Sequence, residues 1–256
     1  LVMTDFLLIH GPGHGSWAWD GVKGTLEDRL RRLPGLYHSS YSAGSIIAPD
    51  LPGHGSRYSQ DNPRHLSFEH CVDELQEFVN TSCMSEPVVV AHSLSGLIAL
   101  ELVRRLGNAK ALVLIGAAVP DIFHNALETL PIPTRALIHA LRLYPNTPPE
   151  SVRLIKEFAL LFLCNDMPFP EAASTVISKL RPIPLRLWDS LPNPIALEPA
   201  CPTTYMLLKR DRFLWPSAQR KMAASLPNAD LVEIDCGHEA TISHSREIAN
   251  VLLQYA

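Results

Sequence analysis

Val88-Val89-Val90-Ala91-His92-Ser93-Leu94-Ser95-Gly96 is the stretch on which the reading of this chain turns. Four apolar residues in a row suit a strand buried on both faces, and the small polar residues after it suit a tight turn into a helix. Ser93 stands at the apex of that turn. An elbow of this kind strains the serine backbone, lifts the hydroxyl clear of the sheet, and needs small residues two before and two after. Ala91 and Ser95 fill those places. Ser95 is the rival nucleophile, but a motif centred on it would put bulky Leu97 at a small-residue position. Ser93 is therefore preferred. The plain alternative is a helix-capping serine, so partners for Ser93 must be sought elsewhere.

Outward from the elbow, short β-type runs alternate with helical patterns. Strands are expected over residues 6–10, 45–48, 87–91, 111–115, 203–208 and 231–234. Helices are expected over 17–30, 67–81, 95–105, 216–225 and 244–255. This alternation predicts an α/β fold, a mostly parallel sheet with helices on both faces. Between Pro120 and Pro199 the strand signals vanish and prolines crowd in (Pro131, Pro133, Pro145, Pro148, Pro149, Pro168, Pro170, Pro182 and Pro184). Short helical pieces lie among them, 152–162 being the clearest. Residues 119–199 are therefore expected to form an inserted helical lid on a core made of 3–118 and 200–256. Such a lid would cover the strand ends where parallel sheets bind ligands.

Composition narrows the function. A chain of 256 residues, 46% of them apolar, can bury a large core. A net charge of −4 without a basic run gives no reason to expect nucleic acid or an acidic membrane surface as partner. The longest apolar stretches fall far short of the ~20 residues that a membrane span needs. No signal-peptide pattern is present, because the apolar run at 6–9 is too short and soon meets Gly-Pro-Gly. Leu1-Val2 are expected to precede the natural start at Met3. Cys71, Cys83, Cys164, Cys201 and Cys236 are scattered and odd in number, so neither a disulfide framework nor a zinc site is expected and a reducing cytoplasm is the expected compartment.

Two further strand ends carry candidate partners for Ser93. Asp235-Cys236-Gly237-His238 follows the last expected strand and offers His238 as a base. Lys209-Arg210-Asp211-Arg212 follows the strand before it and offers Asp211 as the acid that orients the base. A lone histidine is usually structural, and an aspartate among basic neighbours is usually a solvated loop charge. Three such residues, each at a strand end, are harder to dismiss. The pentapeptide Pro-Gly-His-Gly-Ser occurs twice, at 12–16 and 52–56, but its flanks differ and no internal repeat extends from it. His14 and His54 are read as loop-packing residues. A metal held by His10 and His14 lacks the carboxylate or further histidine that would complete a ligand set.

Ile9-His10-Gly11-Pro12-Gly13-His14-Gly15-Ser16-Trp17-Ala18-Trp19 is similar to the HGxxHGxWxW opening of one branch of the α/β-hydrolase superfamily. That branch holds plant methyl-ester esterases, hydroxynitrile lyases and related bacterial esterases. Asp50-Leu51-Pro52-Gly53-His54-Gly55-Ser56, the serine elbow and Gly237-His238 resemble it too, as does Leu180-Arg181-Pro182-Ile183-Pro184-Leu185 with Leu187 beyond. The likeness covers essentially the whole chain. It implies an α/β-hydrolase fold, the catalytic residues Ser93, Asp211 and His238 in that order, and an oxyanion hole from Leu94 N–H plus the loop after His10-Gly11. The first pentapeptide then belongs to the oxyanion loop and the second to a structural turn.

Two departures bear on function. The residue after His-Gly normally donates its N–H to the oxyanion, and here it is Pro12, which has none. Losing one such donor costs ~3 kcal/mol of transition-state stabilisation. A loop shift that lets Gly13 donate is favoured over catalysis by Leu94 alone or over a reaction that needs no full oxyanion hole. Hydroxynitrile lyases of the branch carry a lysine just after the catalytic histidine, whereas this chain has Glu239, whose charge would oppose a cyanide leaving group. Glu239 is left facing solvent or raising the basicity of His238.

The reaction expected is hydrolysis of a small, largely hydrophobic carboxylic ester through an acyl-enzyme. Phe162, Leu163, Phe169 and Trp188 of the lid, with Trp17 from the core, are the candidate pocket walls, although structural packing is the plainer use for any one of them. No cofactor or metal is expected, and a homodimer is among the oligomeric states left open. The alternatives are a lyase or cyclase using His238 as base and a slow-turnover ligand-binding receptor.

Overall fold

The central strand-forming runs of this chain are apolar and buried, and the sheet is covered on both faces there, whereas the last strand carries Asp230 and Glu233 and is largely exposed. The structure, a computed structural model, describes residues 4–32, 44–62, 65–141, 143 and 151–256. The expected start at Met3 and the prolines at 145, 148 and 149 lie outside these. Among the described residues the strands are β1 (Phe6–Ile9), β2 (Ile46–Ile47), β3 (Val88–His92), β4 (Ala111–Ile115), β5 (Ser151–Val152), β6 (Ile183–Pro184), β7 (Thr203–Leu208) and β8 (Asp230–Ile234). Six of them form one parallel sheet in the order β2-β1-β3-β4-β7-β8. Its helices are α1 (Asp20–Arg31), α2 (Phe68–Thr81), α3 (Gly96–Leu106), α4 (Ile132–Leu141), α5 (Lys156–Phe158), α6 (Phe169–Ala172), α7 (Pro216–Ser225), α8 (Ala240–Ser243) and α9 (Ser245–Leu252).

Alternate residues of each strand serve opposite faces. Leu7, Ile9, Val89, Ala91, Leu112 and Leu114 pack with Val72 and Leu75 of α2 and Ile98 of α3. Phe6, Leu8, Val88, Val90, Ala111 and Val113 pack with Val22 and Leu26 of α1 and Ile248 of α9. A strand buried on both sides must therefore be apolar throughout, which is why these runs do not alternate. Ser67 caps α2 by accepting from the His70 N–H at 3.1 Å, and Gly107 ends α3 at φ 68°. Strand order reverses between β1 and β3, so the loops after these neighbours part and open a crevice at their C-terminal ends.

The segment between β4 and β7 departs from the all-helical expectation. β5 and β6 pair antiparallel, Val152 opposite Ile183, so the helix expected over 152–162 begins only at Lys156 and widens into a π-type turn over Ala159–Leu163. Prolines at 182 and 184 hold the second strand extended, and two-residue strands leave no period to read in a sequence. Among the described residues no helix is long and apolar enough to cross a membrane.

Candidate functional site

β3 ends at His92, a tight 3-10 turn covers Ser93–Ser95, and α3 starts at Gly96. Ser93 takes φ 60°, a left-handed conformation that costs a non-glycine residue roughly 1–3 kcal/mol. Two glycines make room for it. A Cβ on Gly11 would stand 3.0 Å from the Ser93 Cβ, and one on Gly96 would stand 2.3 Å from the Ala118 carbonyl oxygen. The Ser95 hydroxyl donates to the His10 carbonyl at 2.5 Å, which ties the elbow to the end of β1 and occupies the rival serine.

Loops from β3, β7 and β8 bring three buried side chains into line. Ser93 Oγ lies 2.9 Å from His238 Nε2, and His238 Nδ1 lies 2.7 Å from Asp211 Oδ2. A carboxylate only accepts, so Nδ1 carries the ring proton and Nε2 is left to accept from the serine. Asp211 is held in turn: its Oδ1 accepts from the N–H groups of Phe213 (2.8 Å) and Leu214 (2.9 Å), and its Oδ2 from Gln219 Nε2 (2.9 Å). Gln219, wholly buried, also donates to the Leu214 carbonyl at 2.6 Å and accepts the Leu208 N–H at 2.9 Å.

No motif or period in the chain marks Gln219, nor Asn165 and Asp166 from the inserted segment. Asp166 accepts the Gly237 N–H at 2.6 Å, and Asn165 donates to the Arg210 carbonyl at 3.0 Å. Each holds the residue just before His238 or Asp211. A Cβ on Gly237 would come within 2.7 Å of Asp166 Oδ1, so only glycine fits there. His92 Nε2 donates to the His238 carbonyl at 2.9 Å. Gln219→Ala would strand the Leu208 N–H and remove a donor from Asp211. At about 1–3 kcal/mol per buried unpaired group, denaturant unfolding is expected to show a loss of about 2–4 kcal/mol.

The two Pro-Gly-His-Gly-Ser copies fold alike and lie against each other. Gly13 (φ 75°) and Gly53 (φ 71°) occupy the left-handed position of proline-led turns, and in each copy the histidine Nδ1 turns back to the proline carbonyl, at 2.9 and 2.8 Å. Asp50 joins the loops, accepting the Ser16 N–H at 2.6 Å and the Ser56 N–H and hydroxyl at 2.9 and 2.6 Å. A Cβ on Gly15 would meet the Gly55 Cα at 2.7 Å, which is why both copies need glycine where they touch.

Glu239 does not face solvent but is fully buried against His14, whose Nε2 lies 3.0 and 3.1 Å from its two oxygens. Burial penalises both charges. The mutual attraction wins, raising the pKa of His14 above 6.5 and pushing Glu239 well below 4.5. The neighbouring histidines are neutral: burial holds His10 and His92 at about 3 and His54 at about 4. The pair's stabilisation is full between pH 4.5 and 6.5. It fades at lower pH as Glu239 takes a proton and at higher pH as His14 loses one. Unfolding of Glu239→Gln is expected to differ most from wild type inside that window, by at most the roughly 3–5 kcal/mol of a broken buried pair.

A small cavity of about 20 Å³ lies over Ser93, lined by Pro12, His14, Leu94, Phe213 and His238 and, from the inserted segment, by Leu127, Ile138, Val152, Leu154, Leu163, Ile183 and Leu185. Of the five expected pocket walls Leu163 alone is among these residues. Trp17 stacks on His14, Trp188 packs edge-on to His54, Phe162 stacks on Phe158, and Phe169 is largely exposed beneath Lys156. Gly13 also stands apart from the lining. Its carbonyl accepts from Arg181 at 2.9 Å, and its Cα side faces Arg181 and Ile183.

Residues 6–251 match the family model described as "Alpha/beta hydrolase family". The chain is 25% identical to Methylesterase 7 of Arabidopsis thaliana, covering 98% of this chain and 95% of that one. It is 26% identical to uncharacterized proteins of Mycobacterium bovis and Mycobacterium tuberculosis over 74% of its length, and spans about half (49%) of theirs. Among solved structures, an extracellular alpha/beta-hydrolase from a Paenibacillus species superposes with a TM-score of 0.82 at 15% identity, covering 99% of each chain.

Proposed function

This chain belongs to the alpha/beta hydrolase family, and from that premise we propose that it is a serine esterase for small, largely hydrophobic carboxylic esters. The observation that supports it most is the buried line of hydrogen bonds from Ser93 Oγ through His238 to Asp211, 2.9 and 2.7 Å long. In this reading Ser93 Oγ attacks the ester carbonyl carbon as its proton passes to His238 Nε2. Asp211 holds the imidazole in the tautomer that can accept and then stabilises its charge. The oxyanion so formed is met by the Leu94 N–H, at the first turn after Ser93, where amides lack helical partners. His238 hands its proton to the leaving alcohol. Water, deprotonated by the same nitrogen, then attacks the acyl-enzyme and frees the acid.

The similarity to Methylesterase 7 favours an ester over an amide, and the largely apolar cavity favours a small apolar acyl or alcohol group. A cavity of about 20 Å³ holds little more than one water. The inserted segment must therefore give way when substrate enters, and residues 119–199 serve in this reading as a lid. Leu163→Ala is expected to move the acyl-length optimum of nitrophenyl esters towards longer chains while costing about 2–5 kcal/mol of stability. An unchanged chain-length profile in the folded variant would remove Leu163 from the pocket. The test of the function itself is hydrolysis of nitrophenyl acetate and nitrophenyl butyrate by the wild-type protein and by Ser93→Ala.

A further inference from the structure

The repeated pentapeptide supplies its own control. His14 and His54 stand in the same turn with Nδ1 against the same kind of proline carbonyl, but Nε2 of His54 is buried without a partner and Nε2 of His14 meets Glu239. A carbonyl and a carboxylate both only accept, so both ring nitrogens of His14 donate, and a ring that donates from both is an imidazolium. The first copy is a cation and the second is neutral. Around the cation stand the His92 ring, edge-on at 6.4 Å and uncharged, His238 next to Glu239 in the chain, and Trp17, which stacks at 5.2 Å and itself carries Lys179 Nζ at 5.1 Å.

This buried pair has a direction. His14 lines the cavity over Ser93 beside Pro12 and Leu94, whereas Glu239 does not, so the cationic member of the pair is the one that borders the cavity. Building on the esterase reading, we infer that the His14 imidazolium, kept charged by Glu239, stabilises the oxyanion in place of the N–H that Pro12 lacks. It acts through its field, because both of its N–H groups are already engaged by Pro12 and Glu239. In a buried site the dipolar field of this ion pair is screened little by water, and the fixed pair needs no reorganisation when charge develops. Glu239 is a positioning residue, since it holds the proton and the orientation of His14 without lining the cavity.

The experiment compares wild type, Glu239→Gln, Pro12→Ala and the double variant, with nitrophenyl butyrate as substrate and trifluoroacetone as probe. Trifluoroacetone accepts Ser93 Oγ at its carbonyl carbon while the serine proton moves to His238, leaving a hemiketal oxyanion. Glu239→Gln is expected to lower kcat and weaken trifluoroacetone by about ten- to hundredfold together, with KM little changed. In the Pro12→Ala background, where an N–H is restored, the same substitution should cost several-fold less. Nitrogen NMR at neutral pH should find both His14 ring nitrogens protonated in wild type and one in Glu239→Gln, and Glu239→Asp should recover part of both losses. A folded Glu239→Gln with unchanged kcat and trifluoroacetone affinity, or a singly protonated His14 in wild type, overturns the inference while leaving the esterase reading standing. Wild type that neither cleaves the ester nor adds trifluoroacetone overturns the esterase reading itself.

Discussion

Ser93→Ala is expected to lower kcat for nitrophenyl butyrate by about 10⁴–10⁶-fold with KM changed only a few-fold. In the proposed mechanism the hydroxyl is both the attacking oxygen and the donor to His238 Nε2, so its loss would remove the covalent route while leaving the cavity walls in place. Alanine keeps a Cβ at the same φ of 60°, so the backbone strain stays and thermal stability should hardly move. That separation is the value of the measurement. Burst kinetics with wild type would report the acyl-enzyme directly. Full turnover in Ser93→Ala would shift the chemistry to His238 as a base, as in a lyase or cyclase. A folded wild type with no turnover would favour a ligand-binding receptor.

Asp211→Asn should cost about 10⁴-fold in kcat with little change in KM, and the reason lies in its donors. The side chain accepts from the N–H groups of Phe213 and Leu214 at one oxygen, and from Gln219 and His238 at the other. Asparagine can satisfy the two backbone donors only with its amide oxygen, which turns its NH₂ towards Gln219 and His238, where donor would face donor. His238 escapes by moving its proton to Nε2. That tautomer can no longer take a proton from Ser93, although the geometry is intact. Activity recovering as pH rises, as hydroxide takes over the base's task, would support this account, whereas a drop in KM-linked binding with kcat preserved would contradict it.

Much of this was legible in the chain itself. The unbroken apolar runs set the parallel sheet, because a strand covered on both faces has no polar side to display. The positions of Ser93, Asp211 and His238 just past three expected strands placed them at one edge of the sheet, since parallel strands all end on the same side. Local chemistry also marked Pro12 as a missing N–H.

What only the tertiary structure decided are contacts between distant residues that carry no local period. Glu239 read as a solvent or base-tuning charge, and it is buried against His14, 225 residues away, because the loops after β1 and β8 meet above the sheet. Gln219, Asn165 and Asp166 look like ordinary polar positions on helices and turns, and only folding shows that they hold the loops that carry Asp211 and His238. The aromatic residues expected in the pocket pack elsewhere, and mostly aliphatic side chains with Phe213 line it, because hydrophobicity marks a residue for burial without naming its neighbours. Sequence periodicity carries which face is buried. Which buried groups meet is set by the paths of the loops.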